Sequence, residues 1–535
     1  MESSIKDKTL VAAIFRVHYN IPSLAKFSRG IVASISCFAL LLSCTSLSHA
    51  DEWNFVRAPL GVYAHIDIET AINRYKGPAA GLRSYLRGLY KGLLADPAIS
   101  GMLVGQHWDN IQLSDPNCIF DHSCSGDSQG YDWSYLDDAF EEANWAHKTV
   151  QLSITPGTDA PPWLFAKIPS CDGLFPVTGT GSAPADCGKV TFIDFPEVQR
   201  ADGSPPVMPL PWNSVYNEAW WDFLVHLNAR YAYDPAFVSM AIAGPILASN
   251  EFILPTTNNG SLQQNGMPAD KAWSILIKHS FPGVSSYHDT DQVFIDQWKQ
   301  SIDVFERIFR GMTLFLSPDA GNDFPEFSQN ITVHPDNTLF AVDCSNVNQE
   351  IMSCEAKTEI LSKFITEDGP NGKATQVGGM TASSDLTPGD IGVAGIKVLT
   401  SLWPPPSPRF LGGAEFDFAV SDPNNIVQEG CSTYPNISNC GSLTPEEAAN
   451  NVLLVFFYGT PVAPFYGGVR GPAPIQYLEL DYVDIQYAQM NPCPNPDVPS
   501  PTIGKTSLQD LLNRASHSLF EMAGRYAPLP PHTCP

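Results

Sequence analysis

The chain has 535 residues, of which 44% are hydrophobic, and carries a formal net charge of -26. It is long and apolar enough to bury a large core, in one big domain or a few small ones. Such acidity repels phosphate backbones and anionic headgroups, which argues against a nucleic-acid partner and suits neutral partners such as sugars, although solubility alone also accounts for it.

The first fifty residues read as an export signal. Lys26 and Arg29 precede the uncharged run GIVASISCFALLLSCTSLSHA, and Ser48-His49-Ala50 offers small residues for cleavage before Asp51. Two rival readings stay open. LLSC at 41–44 resembles a bacterial lipobox, which would lipidate Cys44 and tie the chain to a membrane. The uncleaved run could also anchor the chain, although its serines make a poor spanning helix. The remainder, 51–535, reads as a single catalytic domain in a secreted, periplasmic or extracellular protein, with lipid anchoring as the variant.

From there the pattern alternates. LGVYAHIDIE (60–69) reads as a strand, 81–96 as an amphipathic helix, and GMLVGQHWDNI (101–111) as the second strand. Residues 132–148 are helical, TVQLSITPG (149–157) is the third strand, and a Pro/Gly/Ser loop runs from 158 to 211. A helix at 213–232 leads to FVSMAIAGP, the fourth strand. A helix at 291–311 precedes the fifth strand (312–321), and one at 353–365 the sixth (374–381). A helix at 390–403 leads to FLGGAEFDF, the seventh strand. Helix 445–459, an eighth strand at 475–485 and a closing helix at 507–524 complete the series; LFAVDC (339–344) is a rival strand.

Near-continuous apolar strands alternating with helices indicate a parallel sheet covered on both faces. Eight such units give an α/β fold of the (β/α)8 TIM-barrel type with long disulfide-bearing loops. The doubly wound alternative wants a glycine-rich phosphate turn after the first strand, and neither GxGxxG nor GxxxxGK[ST] occurs.

Ten cysteines follow the signal, an even count that suits disulfides in an exported chain. The simplest pairing is local: 118–124, 171–187, 344–354, 431–440 and 493–534. A zinc site is the weaker reading, because neither CxxC nor HExxH spacing occurs. Asn259, Asn330 and Asn436 open glycosylation sequons that matter in a eukaryotic host.

Two apolar runs stop at a glutamate: FVSMAIAGPILASNE at Glu251 and RFLGGAEFDF at Glu415. A carboxylate at the end of a buried strand is costly without a partner or a task. In this architecture functional groups sit at the C-terminal strand ends, and paired carboxyls serve glycoside hydrolysis. A retaining enzyme sets them about 5–5.5 Å apart. One is protonated to assist the leaving group, the other ionised to attack the anomeric carbon.

Asn250-Glu251 after the fourth strand, with Glu415 closing the seventh, resembles clan A of the retaining glycosidases, the "4/7" barrels that include cellulases, mannanases and beta-galactosidases. GQHWDNI, YDWSYLDDAFEEANWAHKTVQLSITPG and the W..FL..L..RY..DP approach to strand four carry the resemblance further. It implies that Glu251 is the acid/base, Asn250 a ligand of the sugar 2-hydroxyl and Glu415 the nucleophile. It also implies an oligo- or polysaccharide substrate and no metal or organic cofactor. The chain departs in two places: His107 stands where an arginine often accompanies the nucleophile, and no tryptophan closes strand eight.

His107, Trp108 and Trp163 are candidate sugar contacts, with packing as the bland reading for the two tryptophans. Glu415 has Asp417 and Glu479 as rivals, and Glu251 could be a loop glutamate. His65 and Asp319 lie in or at the end of strands and could face core or cleft. Trp220 and Trp221, in a long helix, read as core. Gly126-Asp127-Ser128-Gln129-Gly130 matches the serine-hydrolase GxSxG pattern but sits in a polar loop rather than between strand and helix. A non-catalytic carbohydrate-binding barrel is the alternative function, and a serine esterase a third.

Overall fold

A computed structural model describes residues 57–175, 182–192, 204–244, 269–283, 287–316, 360, 363–364, 372–377, 410–416, 419–422, 444–447, 449–450, 453, 475–493, 506–523 and 525. Eight strands lie in one closed ring: β1 (Gly61–Asp67), β2 (Ile99–His107), β3 (Thr149–Thr155), β4 (Phe237–Ala241), β5 (Thr313–Leu316), β6 (Gly372–Val377), β7 (Phe410–Glu415) and β8 (Tyr477–Asp481). Each pairs in parallel with its neighbours in chain order, and β1 pairs with β8 to close the barrel.

Strand alternation sorts the side chains. Val62, Ala64 and Ile66 of β1 point outward into the large core under the helices. Tyr63 points inward and joins Leu103, Ala241, Phe315 and Tyr477 in a separate cluster within the barrel. Two glycines make room for the tyrosines: a methyl on Gly101 would strike the Thr149 backbone and the Tyr63 ring, and one on Gly413 would strike the Tyr477 ring.

Helices are described after the first four strands and the eighth: α1 (Ile68–Arg74), α2 (Leu82–Leu94), α3 (Ser134–Ala146), α4 (Ser214–Tyr231), α5 (Ala269–Ser280), α6 (Tyr287–Ile308), α7 (Tyr482–Met490) and α8 (Leu508–Met522). Among the described residues none is long and apolar enough to cross a membrane. Their starts follow capping chemistry. The Asn213 side chain accepts from the Tyr216 amide at the start of α4, and Ser507 and Asp510 form a reciprocal capping box on α8. At the opposite end of the barrel from the C-terminal strand ends, Arg57 donates to the carbonyls of Asp234 and Phe237, joining the lead-in of β1 to that of β4.

The ends of β1, β8 and β2 show why strands stop short of their apolar runs. β1 stops at Asp67 and β8 at Asp481, because each aspartate turns its carboxylate onto a backbone amide and caps the next helix, α1 or α7. β2 stops at His107; residues Trp108–Ile111, expected as strand, form a helical turn closed by the Gln112 amide on the Trp108 carbonyl. Between 158 and 211, expected as loop, lie a short helix (Pro162–Lys167) and an antiparallel ribbon of Lys189–Thr191 with Val207–Pro209.

The expected bridges Cys118–Cys124 and Cys171–Cys187 are present, and Cys493 is disulfide-bonded too. Pairs 344–354 and 431–440, Cys534, the sequons at Asn259, Asn330 and Asn436, and residues 1–50 with Cys44 lie outside the described residues. So do Asp319, Asp417, the segment 339–344, helix 390–403 and most of helices 353–365 and 445–459.

Candidate active site

Inward-facing positions at the C-terminal ends of β7, β8 and β1 gather the charge. Glu415 is the last residue of β7, and Glu479 is its register partner on β8. Adjacent strands lie about 4.8 Å apart, so these carboxylates are close neighbours on one wall. From β1, the His65 Nδ1 lies 3.1 Å from the Glu415 Oε1. The Glu415 side chain is 16% exposed and that of His65 31%, so the pair opens to solvent at the barrel mouth.

Burial opposes a charge on His65. The hydrogen bond with Glu415 and the fields of Glu415, Glu479 and Asp481 outweigh it and push the imidazole up to about 9. At neutral pH this is an imidazolium–carboxylate pair, a charge-assisted hydrogen bond. Asp481, in register with His65, spends its carboxylate on the Val483 amide at 2.9 Å.

Glu479 is fully buried, which sets it below the mouth rather than in it. The Gln151 Nε2 on β3 donates to the Glu479 Oε1 at 2.9 Å, and the Ser239 Oγ on β4 donates to the Gln151 Oε1 at 2.6 Å. This relay spans the barrel interior. Nearby, the Tyr63 hydroxyl shares a hydrogen bond with Thr149 Oγ1.

A second polar group sits over β2 and β3. The His107 Nδ1 is 3.7 Å from the Asp159 Oδ1, and Thr155 Oγ1 donates to the Asp159 Oδ2 at 2.7 Å. Burial pushes the Asp159 carboxyl up to about 7, against the pull of His107 and Thr155. The His107 imidazole is raised as well: burial lowers it, but Asp159, Asp67, Asp109 and Glu69 together exceed that effect. The His107 side chain is 29% exposed.

The sequence candidates fare differently. Glu415 and His107 both stand at strand ends on the mouth side. Trp108 does not, and its reading as a sugar platform is corrected: its ring is fully buried against Trp220, Phe223 and Tyr216, and its indole N–H donates to Gln112 Oε1. The helical turn that begins at residue 108 swings it outward under α4. Trp163 is half-buried against the core, with the Lys167 ammonium 5.0 Å from its ring centre. Asn250 and Glu251 lie outside the described residues, past the described end of β4 at Ala241. Trp220 is buried and Trp221 half-buried in the core. Ser128 sits in an exposed turn between two helices, without the strand-to-helix elbow a GxSxG nucleophile needs.

His65, which the sequence leaves open between core and cleft, faces the cleft. The signal was present in the alternation Tyr63, His65, Asp67, three polar-tipped side chains on the face of β1 that the barrel turns inward. The partner of His65, Glu415, comes from far along the chain.

No protein-family model matches the sequence, and no curated protein matches it. Among solved structures the chain is similar to the catalytic domain of a beta-amylase from Paenibacillus polymyxa, at 10% identity over 80% of this chain and 94% of that one, with a TM-score of 0.39. It is similar to a beta-mannanase from the blue mussel Mytilus edulis, at 8% identity over 83% and 94%, with a TM-score of 0.35. A beta-glycosidase from Thermosphaera aggregans gives 9% identity over 79% and 88%, with a TM-score of 0.34. Likeness at this level does not say which reaction a chain performs; that has to come from the groups at the mouth.

Proposed function

We propose that the chain is an exported O-glycoside hydrolase built on a (β/α)8 barrel, working by retaining double displacement with Glu415 as nucleophile and Glu251 as acid/base. The observation that carries this reading is Glu415 itself: a carboxylate at the C-terminal end of a barrel strand, partly open to solvent and paired with a cationic histidine. A nucleophilic carboxylate has to be ionised in the free enzyme, and a neighbouring positive charge favours that form.

In this reading Glu415 attacks the anomeric carbon as Glu251 protonates the leaving oxygen. Glu251 then deprotonates the water that cleaves the glycosyl–enzyme ester. Asn250 holds the 2-hydroxyl, and His107, with Asp159 3.7 Å from it, binds a sugar hydroxyl in this reading. The disulfides Cys118–Cys124 and Cys171–Cys187 suit an oxidising compartment and hence export.

The test is Glu415→Ala, assayed on aryl glycosides with and without azide. The expected result is a loss of at least about a thousandfold, partly restored by azide with formation of a glycosyl azide. Activity equal to that of the parent would remove Glu415 from the mechanism.

A further inference from the structure

We propose that His65 is the positioning residue of the reaction: as an imidazolium it donates Nδ1–H to Glu415 and holds that carboxylate in one rotamer for attack. This rests on the reading of Glu415 as nucleophile and adds a role, from another strand, that the sequence candidates lack.

Three observations meet here. First, the 3.1 Å contact joins β1 to β7 across β8, so it is made only when the ring is closed. Second, among the described residues the charged groups facing His65 favour its cation. Glu415 comes from β7, and Glu479 and Asp481 from β8; the register partner on β2 is the apolar Leu103. Third, Glu479 is tied to Gln151 deep in the barrel and Asp481 to the Val483 amide, whereas Glu415, at the end of β7, makes the 3.1 Å contact with His65.

The role has a chemical consequence. Nucleophilic attack consumes the carboxylate charge as the ester forms. An imidazolium held on one oxygen keeps the carboxylate from rotating away from the attacking geometry. Because the imidazole loses its proton near pH 9, the advantage disappears on the alkaline side.

The experiment compares the parent with His65→Gln, His65→Lys and Glu415→Gln. Histidine NMR of the parent is expected to show His65 titrating near pH 9, and in Glu415→Gln well below that. His65→Gln, checked for native near-UV circular dichroism, is expected to lose about a hundredfold in kcat with KM changed less than threefold. His65→Lys, which restores the charge, is expected to recover at least tenfold of that loss.

A parent His65 titrating near 6.5 would overturn the proposal, and it does so even if His65→Gln fails to fold. So would a His65→Gln enzyme with parental kcat. If Glu415→Ala is inactive and azide-rescued while His65→Gln is fully active, the glycosidase reading stands and the role of His65 falls. If Glu415→Ala is fully active, both fall.

Discussion

Replacing Gln151 with leucine tests the interior relay beneath the mouth. Gln151 is fully buried, and both ends of its amide are committed: Nε2 to the Glu479 carboxylate at 2.9 Å, Oε1 to the Ser239 hydroxyl at 2.6 Å. Leucine has a similar volume, so the cavity term is small, and what is lost is polar. A hydrogen bond to a charged group contributes about 1.5–3 kcal/mol, and a neutral one about 1 kcal/mol. Gln151→Leu should therefore cost about 3 kcal/mol. Adding Ser239→Ala removes the hydroxyl that lost its acceptor and should return about 1 kcal/mol. The assay is urea unfolding at pH 7 with disulfides intact, read by tryptophan fluorescence. A loss of less than about 1 kcal/mol for Gln151→Leu would refute the reasoning, because a buried carboxyl that gives up a 2.9 Å donor does so at a cost.

Two further outcomes follow from the same physics. Cys171–Cys187 closes a loop with a sequence separation of 16, and chain-entropy arguments put its contribution near 3 kcal/mol, so Cys171→Ser with Cys187→Ser should lower the urea midpoint accordingly. Asp159 takes up its proton at about pH 7 when folded, against 3.8 as its ordinary value, so the folded state binds more protons across that window. Its contribution makes stability fall as pH rises from about 4 to 7, and Asp159→Asn should flatten that slope in urea midpoints measured across the range.

Much of the barrel was legible in the chain. Apolar runs of strand length alternating with amphipathic helices marked all eight strands, because a buried parallel strand must be apolar on both faces. Two local disulfides were legible because closure over 6 and 16 residues needs only proximity. Glu415 stood out as a carboxylate ending an apolar run, for which burial demands a reason. Strand ends were less legible. Asp67 and Asp481 continue the strand pattern in sequence, yet their short carboxylates reach a backbone amide and start a helix instead. Trp108 looked like part of β2 until the turn after His107 carried it into the outer core.

The sequence by itself determined the elements, the parallel barrel they imply and the glutamate at the end of β7, since each depends on local periodicity. Only the tertiary structure decided which side chains meet where β1 closes on β8. That closure sets His65 against Glu415 and Gln151 against Glu479, groups that local pattern cannot join because each pair is hundreds of residues apart in the chain. The charge state of His65 follows from the same closure: an imidazole among three carboxylates holds its proton, and no stretch of β1 alone contains that field.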